Sequence, residues 1–296
     1  MTNIRTVTVL GTGVLGSQIA FQAAYSGFEV TAYDINAEAL EGARERFALL
    51  AETYIAEVEG APKTGGAAEV VSGTSGKAAA TLTSLTLSAN LAAAVANADL
   101  IIEAVPENLD IKRDTYRQLA KLAPAKTIFA TNSSSLLPSD MAEFTGRPEK
   151  FLAMHFANRI WVHNVAEVMG TPLTDPATVA TVMEFATEMG MVPVEIKKEK
   201  AGYLMNSLLM PLLGAASNLL VAGIAEPADI DKVWRISMGA PRGPFELFDM
   251  IGLMTPYNIG INGPNPEFAR YLKEHYIDKG KLGMSTGEGF YKYPKP

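Results

Sequence analysis

The sequence TVTVLGTGVLGSQIAFQAAYSGFEVTAYD at residues 6–34 indicates the fold class of this chain. It opens with an apolar run at residues 6–10 that is typical of a buried strand, and it continues with an apolar-faced helix over residues 14–26. A second apolar run follows at residues 29–33. A strand, a helix and a strand in this order predict a βαβ unit with parallel strands.

The alternation of strands and helices continues well beyond this unit. Further strands are predicted from short apolar runs, and a long helix is predicted at residues 37–58. These strand runs lie at residues 100–105, 127–131, 151–156, 165–169 and 193–197. The fold class is therefore α/β, with a doubly wound, mostly parallel sheet.

The character of the chain changes near residue 200. Strand patterns stop there, and long helical segments broken by Gly and Pro take over. We therefore predict a sheet domain over residues 1–199 and a smaller all-helical domain over residues 200–296. Residues 60–90 are rich in Ala, Gly, Ser and Thr, and they predict a mobile hairpin or loop.

Composition excludes several classes of function. The chain has 25 Lys and Arg against 32 Asp and Glu, a net charge of −7, so nucleic acid and anionic lipid surfaces are not expected partners. Small molecules are the expected partners. The absence of cysteine excludes disulfides, thiolate nucleophiles and cysteine-ligated metals, and it fits a cytoplasmic protein.

One apolar stretch needs an explanation. Residues 201–225 carry no charge and are long enough to span a bilayer. Asn206, Ser207 and Pro211 interrupt this stretch, and residues 1–10 lack the apolar region of a signal peptide. We therefore expect no membrane span, but a helix buried between domains or subunits.

The GTGVLG motif at residues 11–16 predicts a dinucleotide site of the Rossmann type. Gly11 permits the tight turn, Gly13 lets the backbone approach a pyrophosphate, and Gly16 lets helix and strand pack closely. The new helix begins at Val14 and Leu15, which we place in the site because its N-terminus presents N–H groups to an anion.

Asp34 decides between the two nicotinamide cofactors. It ends the second strand, 23 residues after Gly11, where a carboxylate accepts hydrogen bonds from the adenosine ribose. Its charge repels a 2′-phosphate, and the adjacent Ile35 and Asn36 include no arginine to hold one. We therefore predict NAD rather than NADP.

A second group of polar residues lies at predicted strand ends. His155 ends an apolar run, Glu167 follows twelve residues later, and a polar cluster at residues 132–135 follows the strand that ends at Thr131. Because strand ends in one sheet converge, these segments are expected to line one crevice. A histidine oriented by a carboxylate is a general base. No spacing of histidines or acidic residues suits a metal, so none is predicted.

These motifs, taken in order, resemble the 3-hydroxyacyl-CoA dehydrogenases over nearly the whole chain. Within that family the sequence is similar to the 3-hydroxybutyryl-CoA dehydrogenases and to the bacterial diketoreductases. The motifs that carry the resemblance are GTGVLG at 11–16, EAVPEN at 103–108, TNSSSL at 131–136, HFAN at 155–158, AEV at 166–168 and TGEGFY at 286–291.

The resemblance assigns roles to individual residues. It implies that His155 is the catalytic base, that Glu167 is its carboxylate partner, and that Ser134 and Asn206 contact the substrate. It also implies a homodimer formed through the helical domain. The cofactor contacts that it implies, together with those argued above, are Gly11, Gly13, Val14, Leu15, Gly16, Asp34, Glu107, Lys112, Asn132, Ser134 and Asn158.

The resemblance leaves the substrate open. The expected reaction interconverts a 3-hydroxyacyl and a 3-oxoacyl compound, most commonly a CoA thioester in this family. Ala157 and Arg159 replace the Phe and Pro that many relatives carry, and Lys63 and Lys77 are the only lysines at residues 60–90 for CoA. The alternatives are non-CoA substrates, such as β,δ-diketo esters, free 3-hydroxy acids or sugar acids like gulonate, and an NAD-binding, crystallin-like protein without turnover.

Overall fold

The computed structural model describes residues 2–60 and 75–294 of the chain. The chain divides into two compact units, Met1–Leu204 and Met205–Pro296. This division falls within five residues of the boundary that the change in pattern near residue 200 suggests.

The first unit is built on an eight-stranded sheet, as the alternating pattern predicts. All neighbouring strands are parallel except β6 and β7. The sheet order is β3-β2-β1-β4-β5-β6-β7-β8. The strands are β1 Thr6–Leu10, β2 Glu29–Tyr33, β3 Thr86–Ser88, β4 Leu100–Glu103, β5 Ile128–Thr131, β6 Phe151–Phe156, β7 Val165–Gly170 and β8 Val192–Ile196.

Helices cover both faces of this sheet, which explains why its central strands are continuously apolar. Ile102 packs into a core with α1, α2 and α7, while its neighbour Ile101 packs into a second core with α4, α5 and α6. The helices are α1 Val14–Tyr25, α2 Ala37–Tyr54, α3 Lys77–Ser84, α4 Leu91–Val95, α5 Leu109–Leu122, α6 Ser139–Ala142 and α7 Pro176–Glu188.

Two predictions about the first unit need correction. The helix predicted over residues 37–58 ends as an α-helix at Tyr54 and continues as a π-helical turn, Ile55–Glu59. Within residues 75–90 the predicted hairpin or loop is wrong, because α3 forms there and β3 pairs with β2. Residues 61–74, which belong to the same prediction, lie outside the described residues.

The second unit is helical, as predicted. Its core is formed by buried apolar residues, among them Leu213, Phe245, Phe248 and Phe268. The helices are α8 Tyr203–Val221, α9 Pro227–Met238, α10 Pro244–Ile251, α11 Met254–Ile261 and α12 Pro266–His275.

Two buried aspartates hold the C-terminal segment of this unit. Asp249 accepts hydrogen bonds from the backbone N–H groups of Phe290 and Tyr291, both at 2.9 Å, and from the hydroxyl of Tyr293. Asp231 accepts one from the Tyr291 hydroxyl at 2.9 Å. The TGEGFY motif at residues 286–291 therefore ties the end of the chain to α9 and α10.

The uncharged stretch forms α8, which is long and apolar enough to cross a membrane by length and composition alone. Its residues Leu213, Ala216 and Leu220 belong to the core of the second unit. Leu208, by contrast, is 75 % exposed. One face of α8 therefore serves the core of the second unit, whereas Leu208 lies outside that core.

Candidate functional site

The glycine turn between β1 and α1 leaves its backbone open to a ligand. A Cβ on Gly16 would lie 1.9 Å from the Gly11 carbonyl oxygen, so only glycine fits there. A Cβ on Gly13, by contrast, would meet no atom within 4 Å. The turn therefore packs tightly on its protein side and offers exposed backbone at Gly13 and at the start of α1, which fits a pyrophosphate.

Asp34 lies at the carboxyl end of β2, beside this turn. Its carboxylate accepts hydrogen bonds from the N–H and the hydroxyl of Thr12, at 2.8 and 2.6 Å, and from the N–H of Ile35 at 2.8 Å. Burial raises the pKa of Asp34, but these hydrogen bonds outweigh it and lower the pKa below its usual value. Asp34 is therefore ionised at neutral pH.

The structure corrects one argument about the cofactor. The sequence shows no arginine adjacent to Asp34, but Arg46 on α2 donates from its Nε to the Thr12 carbonyl at 2.8 Å and acts electrostatically on Asp34. The preference for NAD over NADP therefore rests on the negative charge of Asp34 and not on the absence of a cation.

A cavity of ≈ 200 Å³ opens between the glycine turn and the carboxyl ends of β4 and β5. This is where open α/β sheets bind their ligands. Eight of the predicted cofactor residues line it together with Ala104 and Val105: Gly13, Val14, Leu15, Gly16, Glu107, Lys112, Asn132 and Ser134. Asn158 is exposed in the connection between β6 and β7 and is not part of this lining.

Lys112 is placed differently from a simple cofactor ligand. Its side chain is 1 % exposed, and its ammonium group lies 2.6 Å from the carboxylate of Glu103, which is fully buried at the end of β4. Glu107 lies 3.4 Å from the same ammonium group. No role is predicted for Glu103 from the sequence, although a carboxylate at the end of an apolar strand indicates a buried ion pair.

Glu107 organises the serine cluster. One of its oxygens accepts hydrogen bonds from the hydroxyl of Ser133 at 2.6 Å, from the N–H of Ser134 at 3.0 Å, and from the N–H and hydroxyl of Ser135 at 2.8 Å. Burial raises the pKa of Glu107, but the hydrogen bonds and the charge of Lys112 dominate and lower the pKa to about 2. Glu107 thus shapes the loop that carries Ser134.

This arrangement makes the contribution of Glu107 dependent on pH. Its folded-state pKa is lowered from 4.5 to about 2, so its stabilisation is complete above pH 4.5 and is lost as the pH falls towards 2. We expect Glu107→Gln to melt at a lower temperature than wild type at pH 7, and this difference to shrink below pH 4.5. Thermal melts from pH 7 to pH 3 measure it, with the exposed Glu45→Gln as control. A difference that stays constant with pH would contradict the assignment.

His155 and Glu167 form a buried pair. His155 Nδ1 lies 3.0 Å from a carboxylate oxygen of Glu167, and both side chains are about 5 % exposed. The sequence predicts that the ends of the strands carrying His155 and Glu167 converge. Instead, β6 and β7 are antiparallel, and His155 faces Glu167 directly across the ladder. Cross-strand neighbours on one face lie close together, so the pair forms in mid-strand on β7 rather than at a strand end.

Sequence reasoning missed the residue that packs on this pair. The ring of Tyr203 stacks on the His155 imidazole, with ring centroids 4.3 Å apart and planes inclined by 13°. Leu204, the next residue, donates its N–H to Glu167 at 2.8 Å. The only signal in the sequence is an aromatic residue directly after a glycine at the start of the apolar stretch.

Residues considered for substrate binding have protein partners. The guanidinium of Arg159 lies 2.7 Å from the carboxylate of Glu57, which also accepts the Trp161 indole N–H at 2.8 Å. The ammonium group of Lys77 lies 4.5 Å from the centroid of the Tyr25 ring. Lys63 lies outside the described residues.

The remaining predictions concern Asn206 and metals. Asn206 lies on α8 in the second unit, and its approach to the substrate stays a prediction. Among residues 2–60 and 75–294, no group of three or more His, Asp or Glu side chains could hold a metal ion.

Comparison with known protein families covers almost the whole chain. Residues 6–200 match the NAD binding domain of 3-hydroxyacyl-CoA dehydrogenase, and residues 202–293 match the C-terminal domain of the same family. The mitochondrial hydroxyacyl-coenzyme A dehydrogenase of Sus scrofa is 35 % identical over 98 % of this chain and 91 % of its own length. A probable 3-hydroxybutyryl-CoA dehydrogenase of Bacillus subtilis is 33 % identical over 98 % of both chains.

Solved structures add a more similar protein. A diketoreductase, described by its substrate-directed dual catalysis of dicarbonyl compounds, is 61 % identical, with a TM-score of 0.93 over 99 % of this chain and 100 % of its own. The (S)-3-hydroxybutyryl-CoA dehydrogenase of Ralstonia eutropha is 28 % identical, with a TM-score of 0.80 over 99 % of this chain and 100 % of its own.

Proposed function

The chain belongs to the 3-hydroxyacyl-CoA dehydrogenase family, and we propose that it interconverts a 3-hydroxyacyl and a 3-oxoacyl compound with NAD as cofactor. The observation that carries this proposal is the buried pair of His155 and Glu167 in the sheet that also carries the glycine turn. A general base held by a carboxylate and a dinucleotide turn are the two parts that a hydroxyl dehydrogenase needs.

The geometry of the pair defines the proton transfer. A carboxylate beside Nδ1 of His155 keeps the proton on that nitrogen, which leaves the Nε2 lone pair for a substrate. In oxidation, Nε2 takes the proton of the 3-hydroxyl group, and Glu167 stabilises the imidazolium that forms; in reduction, the same nitrogen returns the proton to the 3-oxo group. The residues that line the cavity beside the glycine turn would hold NAD, whose nicotinamide would supply hydride-transfer chemistry at C3.

Ser134 and Asn206 complete the proposed catalytic set. Ser134 lines the cofactor cavity, and its backbone is held by Glu107. We assign its hydroxyl to orient the reacting oxygen beside the cofactor, and its place in the cavity lining supports this role. Asn206 would polarise the same oxygen from the helical unit, as the resemblance to the family implies.

The family favours a CoA thioester as substrate, and one observation favours a second candidate. The diketoreductase is 61 % identical to this chain, whereas the CoA dehydrogenases named above are 28–35 % identical. Lys77 packs on Tyr25, so it is not an uncommitted cation for CoA. The pairing of Arg159 with Glu57 removes support for a carboxylate contact in a free-acid substrate. The second candidate is therefore reduction of a dicarbonyl compound that carries no CoA.

A comparison of two substrates separates these candidates. We expect NADH oxidation with both acetoacetyl-CoA and a 3,5-dioxohexanoate ester, and the larger kcat/KM identifies the substrate class. If the thioester is preferred, Lys77→Ala should raise its KM, and Lys126→Ala, an exposed lysine paired with Asp99, is the matched control. No turnover of either compound would contradict the proposed function.

We also propose a homodimer formed through the helical unit, in the cytoplasm. Large apolar side chains of this unit are exposed, including Leu208 at 75 %, Val233 at 64 % and Ile236 at 77 %. Several large exposed apolar side chains on one unit indicate a surface at which another protein chain binds. One chain has a mass of 31.6 kDa, and light scattering should give twice this value. A monomer at micromolar concentration would contradict the proposal.

A further inference from the structure

The segment at residues 202–204, which includes the first two residues of α8, contacts the proposed catalytic groups at several points. Gly202 donates its N–H to the Ser134 carbonyl at 3.2 Å. Leu204 donates its N–H to the carboxylate of Glu167 at 2.8 Å. Residues 202–204 therefore contact both the serine loop and the carboxylate that orients the base.

Tyr203, between these two residues, contacts the base itself. Its ring is fully buried and lies face to face with His155, with centroids 4.3 Å apart and planes inclined by 13°. Its hydroxyl donates to the Ser133 carbonyl at 2.7 Å. Burial raises the pKa of Tyr203 well above its usual value, so the hydroxyl keeps its proton and the donor is permanent.

The backbone of this segment is strained. Gly202 and Tyr203 have φ angles of +79° and +52°. A positive φ is unfavourable for tyrosine, and such a conformation persists only where the surroundings enforce it. Here the stack on His155 and the hydrogen bond from the hydroxyl to Ser133 hold Tyr203 in this conformation. These contacts therefore offset the conformational cost of the positive φ angle.

The stack has two consequences for a general base. Glu167 contacts one edge of the imidazole, and this contact alone does not fix the plane of the ring. Tyr203 packs against one face of the imidazole and restricts its out-of-plane motion. The π face of an aromatic ring also attracts a cation, which favours the imidazolium that forms during oxidation. Both effects act on His155 and not on the cofactor.

We propose that Tyr203 is a positioning residue, whose ring holds the plane of His155 in line with Glu167 while its hydroxyl anchors the serine loop. This proposal rests on the proposed function, because it assigns Tyr203 to the same proton transfer. It assigns two different roles to Tyr203: the ring orients His155, and the hydroxyl holds the serine loop.

Two substitutions divide these contributions. Tyr203→Leu removes the ring, and we expect kcat to fall about tenfold, which corresponds to about 1.4 kcal/mol in the activation free energy, while KM for NAD stays within about twofold. Tyr203→Phe keeps the ring, and we expect kcat to stay within about threefold of wild type. Phe185→Leu removes an equally buried ring on α7, which packs on Phe28, and serves as the control.

A spectroscopic measurement tests the same idea without turnover. In protein labelled with ¹⁵N-histidine, we expect the Nδ1–H proton of His155 to give a sharp signal in wild type and in Tyr203→Phe. In Tyr203→Leu we expect this signal to broaden by exchange with water, because an imidazole that swings out of plane weakens its hydrogen bond to Glu167. The His155 signals are assigned by their loss in His155→Gln. An inactive wild type would contradict the proposed function alone, because the Nδ1–H signal would still report on Tyr203.

Three results would overturn the proposal. The first is an Nδ1–H signal of His155 that is as sharp in Tyr203→Leu as in wild type. The second is an unchanged kcat in Tyr203→Leu, and the third is an equal loss in the Phe185→Leu control. A tyrosine that served only to fill the core would give the last of these results.

Discussion

Replacing His155 with alanine should lower kcat in both directions by about 10²–10⁴-fold, the contribution typical of a positioned general acid or base. The physical reason is that the proposed mechanism passes the proton of the 3-oxygen through Nε2 of His155, while Glu167 holds Nδ1. The dissociation constant of NADH should stay within about threefold, because His155 is not among the residues that line the cofactor cavity.

Steady-state kinetics and fluorescence titration of NADH measure the two quantities. Alanine leaves Glu167 buried without its histidine partner and can lower stability, so His155→Gln, which retains a donor for the carboxylate, is the second variant. His275→Ala, at an exposed position on α12, is the matched histidine control. Turnover of His155→Gln close to wild type would remove the histidine from the mechanism.

Replacing Lys112 with methionine should lower the free energy of unfolding of the first unit by about 3–5 kcal/mol, the cost of breaking a buried ion pair by removing one partner. Glu103 is fully buried, and without the ammonium group its charge would remain in a medium of low polarity. Neutralising both partners should cost much less. We therefore expect Glu103→Gln with Lys112→Met to recover about half of the loss or more.

The remaining partners of Glu103 support this expectation. Its carboxylate also accepts hydrogen bonds from the Val105 N–H at 2.9 Å, the Thr131 hydroxyl at 2.8 Å and the Tyr116 hydroxyl at 3.2 Å. These donors are neutral, and an amide oxygen can satisfy some of them.

Urea unfolding followed by tryptophan fluorescence measures both variants. Trp161 belongs to the first unit and Trp234 to the second, so a Trp234→Phe background reports on the first unit alone. Lys121→Met, at an exposed position on the same helix, is the control and should change stability by less than about 0.5 kcal/mol. A double variant no more stable than Lys112→Met would show that the charge of Glu103 is not the cause.

Much of the fold and of the cofactor site could be predicted from the sequence. The βαβ unit at residues 6–34 was readable because strand and helix periodicities are local, and the role of the glycines was readable because a tight turn beside a helix N-terminus has few solutions. The ordered motifs also identified the family, which comparison with known proteins confirms.

The contacts that complete the site were not readable. Arg46 reaches Thr12 from a different element, 34 residues along the chain, and Lys112 turns inward to Glu103 rather than only towards the cofactor. The strand β3, three residues long, has too few residues to show a period. Each of these features depends on how elements pack, which no local pattern contains.

Short stretches of sequence are enough to predict the alternation of strands and helices outside residues 75–90, the glycine turn, the carboxylate of Asp34 at the end of β2, and His155 and Glu167 as candidates. The folded chain is needed to see that β7 runs antiparallel to β6, which sets Glu167 opposite His155, and that Tyr203 stacks on the resulting pair. The physical reason is that residue types and periodicity act within a few turns of chain. The distance between two side chains from different elements is set by strand direction, register and the packing of the elements around them.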